Sequence, residues 1–115
     1  MTKPDNTPPT NPLAPELRRG ALVLVILAQL REARYGYALR ERLAEGGLDV
    51  VEGTLYPLLR RLEKQGLLTS EWVVEDNRPR RYYRTSERGE DELKALDAAW
   101  DDLLTAVDRL CDRKG

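Results

Sequence analysis

The apolar positions of this chain change period several times, and each change marks a structural element. From Glu16 the pattern is helical and runs through the block Leu22-Val23-Leu24-Val25-Ile26-Leu27 to about Glu32. Apolar side chains all round that helix predict that it is covered from several directions. A shorter second helix follows from about Tyr35 to Glu45, with Tyr35, Leu39 and Leu43 on one face and Gly46-Gly47 as its stop. The third helix spans about Glu52 to Gln65. Its inner stripe is Leu55, Leu58, Leu59 and Leu62, Gly66 ends it, and Pro57 is tolerated because it lies close to the start.

From Leu67 to Glu75 the period becomes two. Leu68, Ser70, Trp72 and Val74 share a face, and Trp72, Val73 and Val74 favour a strand. Asp76-Asn77-Arg78-Pro79-Arg80 is turn-forming, and Arg81 to Thr85 suits the returning strand of a hairpin. Ser86 then caps a long helix that lasts to about Asp112; its first turns carry Glu87, Glu90 and Asp91, acids suited to the positive end of the helix dipole. The chain is expected to be mainly α with a two-stranded β-hairpin (α+β). It divides into a disordered proline-rich leader (1–15), a helical head with its hairpin (16–85) and a terminal helix (86–115). Five of the seven prolines fall in that leader, which lacks the apolar side chains that would offset the entropy of ordering it.

Composition narrows the function more than the fold. A chain of 115 residues makes one domain, and a domain this small has a modest core that a partner could supplement. One cysteine, Cys111, excludes an internal disulfide, and the absence of histidine removes the usual zinc constellations and histidine acid/base chemistry. The acids and tyrosines are scattered and there is no cofactor motif, so neither an enzyme nor a bound cofactor is expected. The longest apolar run, Ala21 to Ala28, has eight residues, too few to cross a bilayer, and the N-terminus has no secretory pattern. The cytoplasm is the expected address.

The net charge of −1 conceals a polarised chain: residues 16–88 carry a net +3 and residues 89–115 a net −4. Helix, helix, helix, hairpin, helix is the order of a winged helix-turn-helix domain, whose third helix enters the DNA major groove while the hairpin flanks it. On that helix Gly53, Pro57, Arg60 and Lys64 point away from the leucine stripe, with Tyr56 and Arg61 on the flanks. Gly53 allows close backbone approach, the helix N-terminus near Thr54 attracts a phosphate, and arginine can grip guanine. A solvated helix face would carry the same charges. Arg78, Arg80 and Arg81 crowd the expected hairpin tip, where cations repel one another unless they meet an anion. Tyr37 lies opposite its helix's apolar stripe, where its hydroxyl could reach a phosphate. Double-stranded DNA is the expected partner.

The terminal helix carries an independent signal. Leu93, Leu96, Trp100, Leu103, Val107 and Leu110 recur at alternating spacings of three and four, the seam of a helix that meets another helix, while its other faces are acidic. A second copy of the chain is the preferred partner for this seam, giving a homodimer; packing on the first helix of its own chain is the alternative.

Tyr35-Gly36-Tyr37, the run from Glu52-Gly53-Thr54-Leu55-Tyr56-Pro57 to Arg60-Arg61-Leu62-Glu63, and Arg78-Pro79-Arg80-Arg81-Tyr82-Tyr83 resemble the PadR family of bacterial transcriptional regulators, over about residues 17 to 105. The resemblance implies a dimeric repressor, less often an activator. It implies that the Gly53 to Lys64 helix sits in the major groove, that Arg78 to Arg81 meet the flanking minor groove or backbone, and that there is no catalysis. A single terminal helix matches the compact subfamily, whereas the leader departs from its shorter members. Some family members bind flat aromatic ligands between subunits on aromatic residues of the terminal helix, which makes Trp100 the candidate contact for a small aromatic effector; a tryptophan there also suits an interface core. The rival to DNA binding is a winged helix used as a protein-docking module.

Overall fold

The computed structural model describes residues 13–113. Helix α1 (Leu13–Gln29) leads through strand β1 (Arg34–Tyr35) into helices α2 (Gly36–Glu45) and α3 (Glu52–Lys64). Strands β2 (Leu68–Glu75) and β3 (Arg78–Thr85) follow, and helix α4 (Glu87–Leu110) ends the chain. This is a winged helix with a long terminal helix. The leucine stripe of α3 is buried along its length, in one core with Ile26 and Leu27 from α1, Leu30 just past the end of α1, Leu39 and Leu43 from α2, and Leu68 and Tyr83 from the wing. Because these leucines fall at helical spacing on one side of α3, burying them necessarily turns Gly53, Pro57, Arg60 and Lys64 outward.

Three expectations are corrected. The sheet has three strands in the order β1-β3-β2, all antiparallel, because Arg34 and Tyr35 pair with Tyr83 and Tyr82. Tyr35 thus belongs to a strand and is half-buried, where the sequence pattern put it on the apolar stripe of the second helix. The hairpin turn is also shorter than expected. Only Asp76 and Asn77 lie between the strands, with φ of 52° and 63°, the left-handed pair that matches the twist of a hairpin and that Asp and Asn tolerate. Arg78, Pro79 and Arg80 are therefore strand residues, and Pro79 is accommodated because β1 is too short to cover that end of β3. Finally, α1 begins at Leu13, so residues 13–15, assigned to the leader, form its first turn; the rest of the leader lies outside the described residues.

Two junctions lock the wing and α4 onto the head. Thr85, buried at the end of β3, donates its hydroxyl to the Leu27 carbonyl at 2.7 Å and its N–H to the Leu30 carbonyl at 2.8 Å. These bonds serve the C-terminal end of α1, where carbonyls otherwise lack helical partners. Ser86 caps α4 as expected, accepting from the Gly89 N–H at 3.0 Å and donating to the Gly66 carbonyl at 2.6 Å. Gly89 is buried so tightly that a Cβ there would overlap the Leu67 carbonyl and the Thr85 methyl. At the other side of this junction Gly66 takes the left-handed φ of 83° that lets the chain leave α3 and start the wing.

The α4 seam divides in two. Leu93 is buried within its own chain and Leu96 packs partly against the same core, whereas Trp100, Leu103 and Leu110 are exposed. Leu104, outside the expected seam, is exposed as well. The expected alternative, packing on the chain's own α1, holds at Leu93 and Leu96; farther along, Trp100 and Leu103 flank α1 only across an open groove. Beyond them α4 projects as an arm, and the radius of gyration of 17.0 Å exceeds the roughly 13 Å of a compact domain of about 100 residues.

Candidate nucleic-acid interface

Helix α3 supplies the central surface. Gly53, Thr54, Pro57, Arg60, Arg61 and Lys64 are all exposed along it, and Tyr56 is half-buried at its edge. A Cβ at Gly53 would touch nothing in the chain, so internal packing does not require glycine there; what the missing side chain leaves open is the outer face. Val51 at the N-cap contributes no side-chain cap, so the first N–H groups of α3 are not claimed by one. Glu52 in that turn is paired with Arg40 at 3.7 Å.

Tyr56 owes its position to Gly36. A Cβ at Gly36 would stand 2.7 Å from the Tyr56 ring, so only glycine lets this ring lie against the start of α2. Burial, reinforced by the Glu52 carboxylate, raises the Tyr56 pKa above its ordinary value. Tyr37 stands beside it, exposed, and a hydrogen bond with Glu41 raises its pKa. Both phenols thus stay protonated donors at neutral pH. Between these tyrosines, α3 and the wing lies an open cleft of about 300 Å³ walled by Tyr35, Tyr56, Trp72 and Tyr83, with Arg60 and Arg81 at its sides.

The wing arginines separate into two kinds. Arg78 is exposed, and no acid pairs with it among the described residues. Arg80 instead bonds Glu75 at 3.3 Å and lies over the Tyr35 ring at 4.6 Å. Arg81 is held by Glu63 at 3.0 Å and by the Ser70 hydroxyl at 3.0 Å, close to the rings of Trp72 and Tyr83. Glu75 also accepts the Tyr82 hydroxyl at 2.8 Å, a bond that raises the Tyr82 pKa. Glu63, Ser70, Trp72 and Glu75 were not among the site residues expected from the sequence, where Ser70 and Trp72 entered only as a strand face. A signal existed for Arg81: alternation along β3 puts it on the face of Tyr83 and Thr85, toward α3, once the strand is known to extend around it. On α3, by contrast, Arg60, Arg61 and Lys64 have no acidic partner among the described residues. The cleft brings Tyr37, Tyr56, Arg60, Arg80 and Arg81 together; Gly53, Arg61 and Lys64 are exposed along α3, Arg78 is exposed at the start of β3, and Thr54 lines a separate pocket with Pro15, Arg18 and Arg19.

A second surface lies at the junction of α1 and α4. Leu17, Ala21 and Leu24 face Leu96, Trp100 and Leu103 across an open, mainly apolar groove of about 300 Å³. Among the described residues no cluster of His, Cys, Asp or Glu could hold a metal ion, and no helix is long and apolar enough to cross a membrane.

A family model described as the transcriptional regulator PadR-like family matches residues 23–95, which include α2, α3 and the whole wing. The chain is 40% identical over 93 residues to Transcriptional regulator Rv3488 of Mycobacterium tuberculosis, covering 80% of this chain and 87% of that protein. The fold is similar to that of a PadR family transcriptional regulator from Eggerthella lenta, with a TM-score of 0.81 and 48% identity over 89% of this chain and 91% of the other. It is also similar to a PadR-like regulator from Bacillus cereus, with a TM-score of 0.75 and 30% identity over 84% and 96% of the two chains. The chain belongs to the PadR-like family of transcriptional regulators, proteins that act by binding DNA and not as enzymes.

Proposed function

We propose that the protein is a cytoplasmic homodimeric repressor that reads an inverted-repeat operator with α3 in the major groove and the wing alongside it. The observation that carries this reading is the set of cations on α3 and the wing, Arg60, Arg61, Lys64 and Arg78, that have no acidic partner among the described residues. A cluster of like charges without counterions is stabilised by an external polyanion, and a groove-reading helix is the element that meets it here. Thr54, Tyr37 and Tyr56 add hydroxyl donors around the exposed Gly53, while Arg80 and Arg81 enter as wing residues whose charge is already countered.

The homodimer is supported by the exposed apolar arm. Trp100 is 38% exposed, Leu103 55% and Leu110 83%, and Leu17 of α1 is 71% exposed beside them. Such a contiguous strip marks an interface. A second copy is the occupant that gives two equivalent recognition helices, and two-fold symmetry then requires half-sites related by inversion, about one helical turn or a multiple apart. The groove beside Trp100 is where a small aromatic effector would stack and alter the angle between subunits. Selection of genomic fragments by the purified protein, followed by footprinting, tests the reading. The expected result is a symmetric footprint whose occupancy falls steeply with salt. Binding that ignores salt, or capture of protein partners without DNA, would favour a docking module.

A further inference from the structure

We propose that Glu63 and Arg81 form a strut that sets the angle of the wing against α3, so that Arg81 shapes DNA selectivity through geometry and is not itself a phosphate ligand. This rests on the DNA-binding reading above.

The strut is a closed polar ring drawn from three elements. Glu63, in the last turn of α3, accepts the Ser70 hydroxyl of β2 on one carboxylate oxygen at 2.7 Å and the Arg81 Nη2 of β3 on the other at 3.0 Å. Arg81 Nε closes the ring by donating to the Ser70 oxygen at 3.0 Å. Ser70 pairs across the sheet with Tyr83 and Trp72 with Arg81, so the guanidinium must lean diagonally along the wing to reach Ser70. It does so near the rings of Trp72 and Tyr83, with centroids 5.7 and 5.6 Å away. Two directed N–H bonds from one planar fork define an orientation that a single ammonium could not reproduce.

The ring matters because apolar packing does not fix the outer wing. From Thr69 to Glu75 and from Arg78 to Tyr82 no side chain is fully buried, and Trp72 and Val74 are 64% and 70% exposed. Leu68, Tyr83 and Thr85 anchor only the base of the hairpin. Beyond them the wing is tied to α3 by Glu63 and, on the opposite side, to β1 by Arg80 over Tyr35. Since Glu63 already neutralises Arg81, this strand residue adds little to phosphate binding, unlike Arg60, Arg61 and Lys64 on the helix that carries Glu63.

Glu63→Gln separates the two roles by its effect on sequence preference. It removes a negative charge beside the DNA face, which raises affinity for all DNA on either model; if Arg81 is only a phosphate ligand restrained by Glu63, operator and random DNA gain alike and the preference between them is unchanged. If the pair is a strut, the ratio of operator to random affinity falls about tenfold, the scale of one lost charge-assisted hydrogen bond. Arg81→Lys should likewise lose operator preference with the salt slope unchanged, whereas Arg81→Ala on the ligand model lowers the slope by about one per subunit. Hydrogen exchange of the DNA-free protein supplies a readout independent of binding: amides of β2 and β3 should exchange faster in Glu63→Gln while those of α1 and α2 keep their protection. Unchanged wing exchange, an unchanged operator-to-random preference in Glu63→Gln, or a shallower slope in Arg81→Ala overturns the strut. Should the wild type not bind DNA, the functional reading fails by itself and the exchange measurement still decides whether the strut exists. Ser70→Ala, which breaks the ring without changing charge, replaces Glu63→Gln if that variant does not fold.

Discussion

Replacing Thr85 by Val removes one hydroxyl from the junction where α1, the wing and α4 meet, and keeps the side chain's volume. The Thr85 hydroxyl donates to the Leu27 carbonyl at 2.7 Å in a buried setting. That carbonyl cannot turn to its usual helical donor, because the Arg31 N–H is directed to Ala28 instead, at 3.4 Å. The valine variant therefore leaves a buried acceptor without its partner, at a cost of about 1–3 kcal/mol. For a domain near 100 residues each kcal/mol corresponds to about 4–8 °C in Tm, so a fall of at least about 4 °C is expected. Thr85→Ser is the control. It keeps the hydroxyl and loses the methyl that packs over Gly89, about 0.8 kcal/mol, so it should be the milder variant. Thermal and urea unfolding at one fixed protein concentration measure both, since dissociation of a dimer would otherwise shift Tm. A valine variant as stable as the wild type, or a serine variant less stable than valine, would refute the reasoning that this hydroxyl completes the end of α1.

Other outcomes follow from the same geometry. If a dimer engages Arg60, Arg61, Lys64 and Arg78 of both subunits, none of which has an acidic partner among the described residues, the slope of log affinity against log salt should be about −7, and Arg60→Ala in both subunits should make it shallower by about 2; anisotropy titrations over a salt series read both. Leu103→Glu puts a charge on the exposed arm and should yield monomers in sedimentation, so a mutant that stays dimeric moves the interface elsewhere. Tyr82 holds its proton more tightly in the folded chain than at its ordinary value of 10.0, chiefly through the bond to Glu75. Stability from that bond is whole below pH 10 and is lost as pH rises through the raised value, and Glu75→Gln should bring the Tyr82 titration down in near-ultraviolet absorbance; no movement would count against the bond.

How much was legible beforehand differs from element to element. The α3 stripe, its stop at Gly66 and the outward set from Gly53 to Lys64 were readable because a helix links spacing to direction at every residue. So was Ser86 as a cap, since the four N–H groups of a helix start need a nearby acceptor. Strand β1 was not readable: two residues have no period, and they form a strand only because Tyr82 and Tyr83 offer backbone to pair with. The length of the turn at Asp76 and Asn77 was also hidden, since Arg78, Pro79 and Arg80 suit a loop equally well until pairing with β2 extends the strand around them.

The sequence by itself determined the inner stripe of α3, the order of helices and wing, and the family, because these depend on local periodicity and on short motifs. Only the tertiary structure decided which cations remain available. Arg78, Arg80 and Arg81 are alike in the sequence, yet Glu75 and Glu63 pair with the last two, while Arg78 has no acidic partner among the described residues. The same holds for α4, where one uniform seam is divided between the chain's own core and an exposed arm. The physical reason is that charge pairing and burial are properties of distance in space, and residues far apart in the chain, such as Glu63 and Arg81, come within hydrogen-bonding range only after folding has placed them.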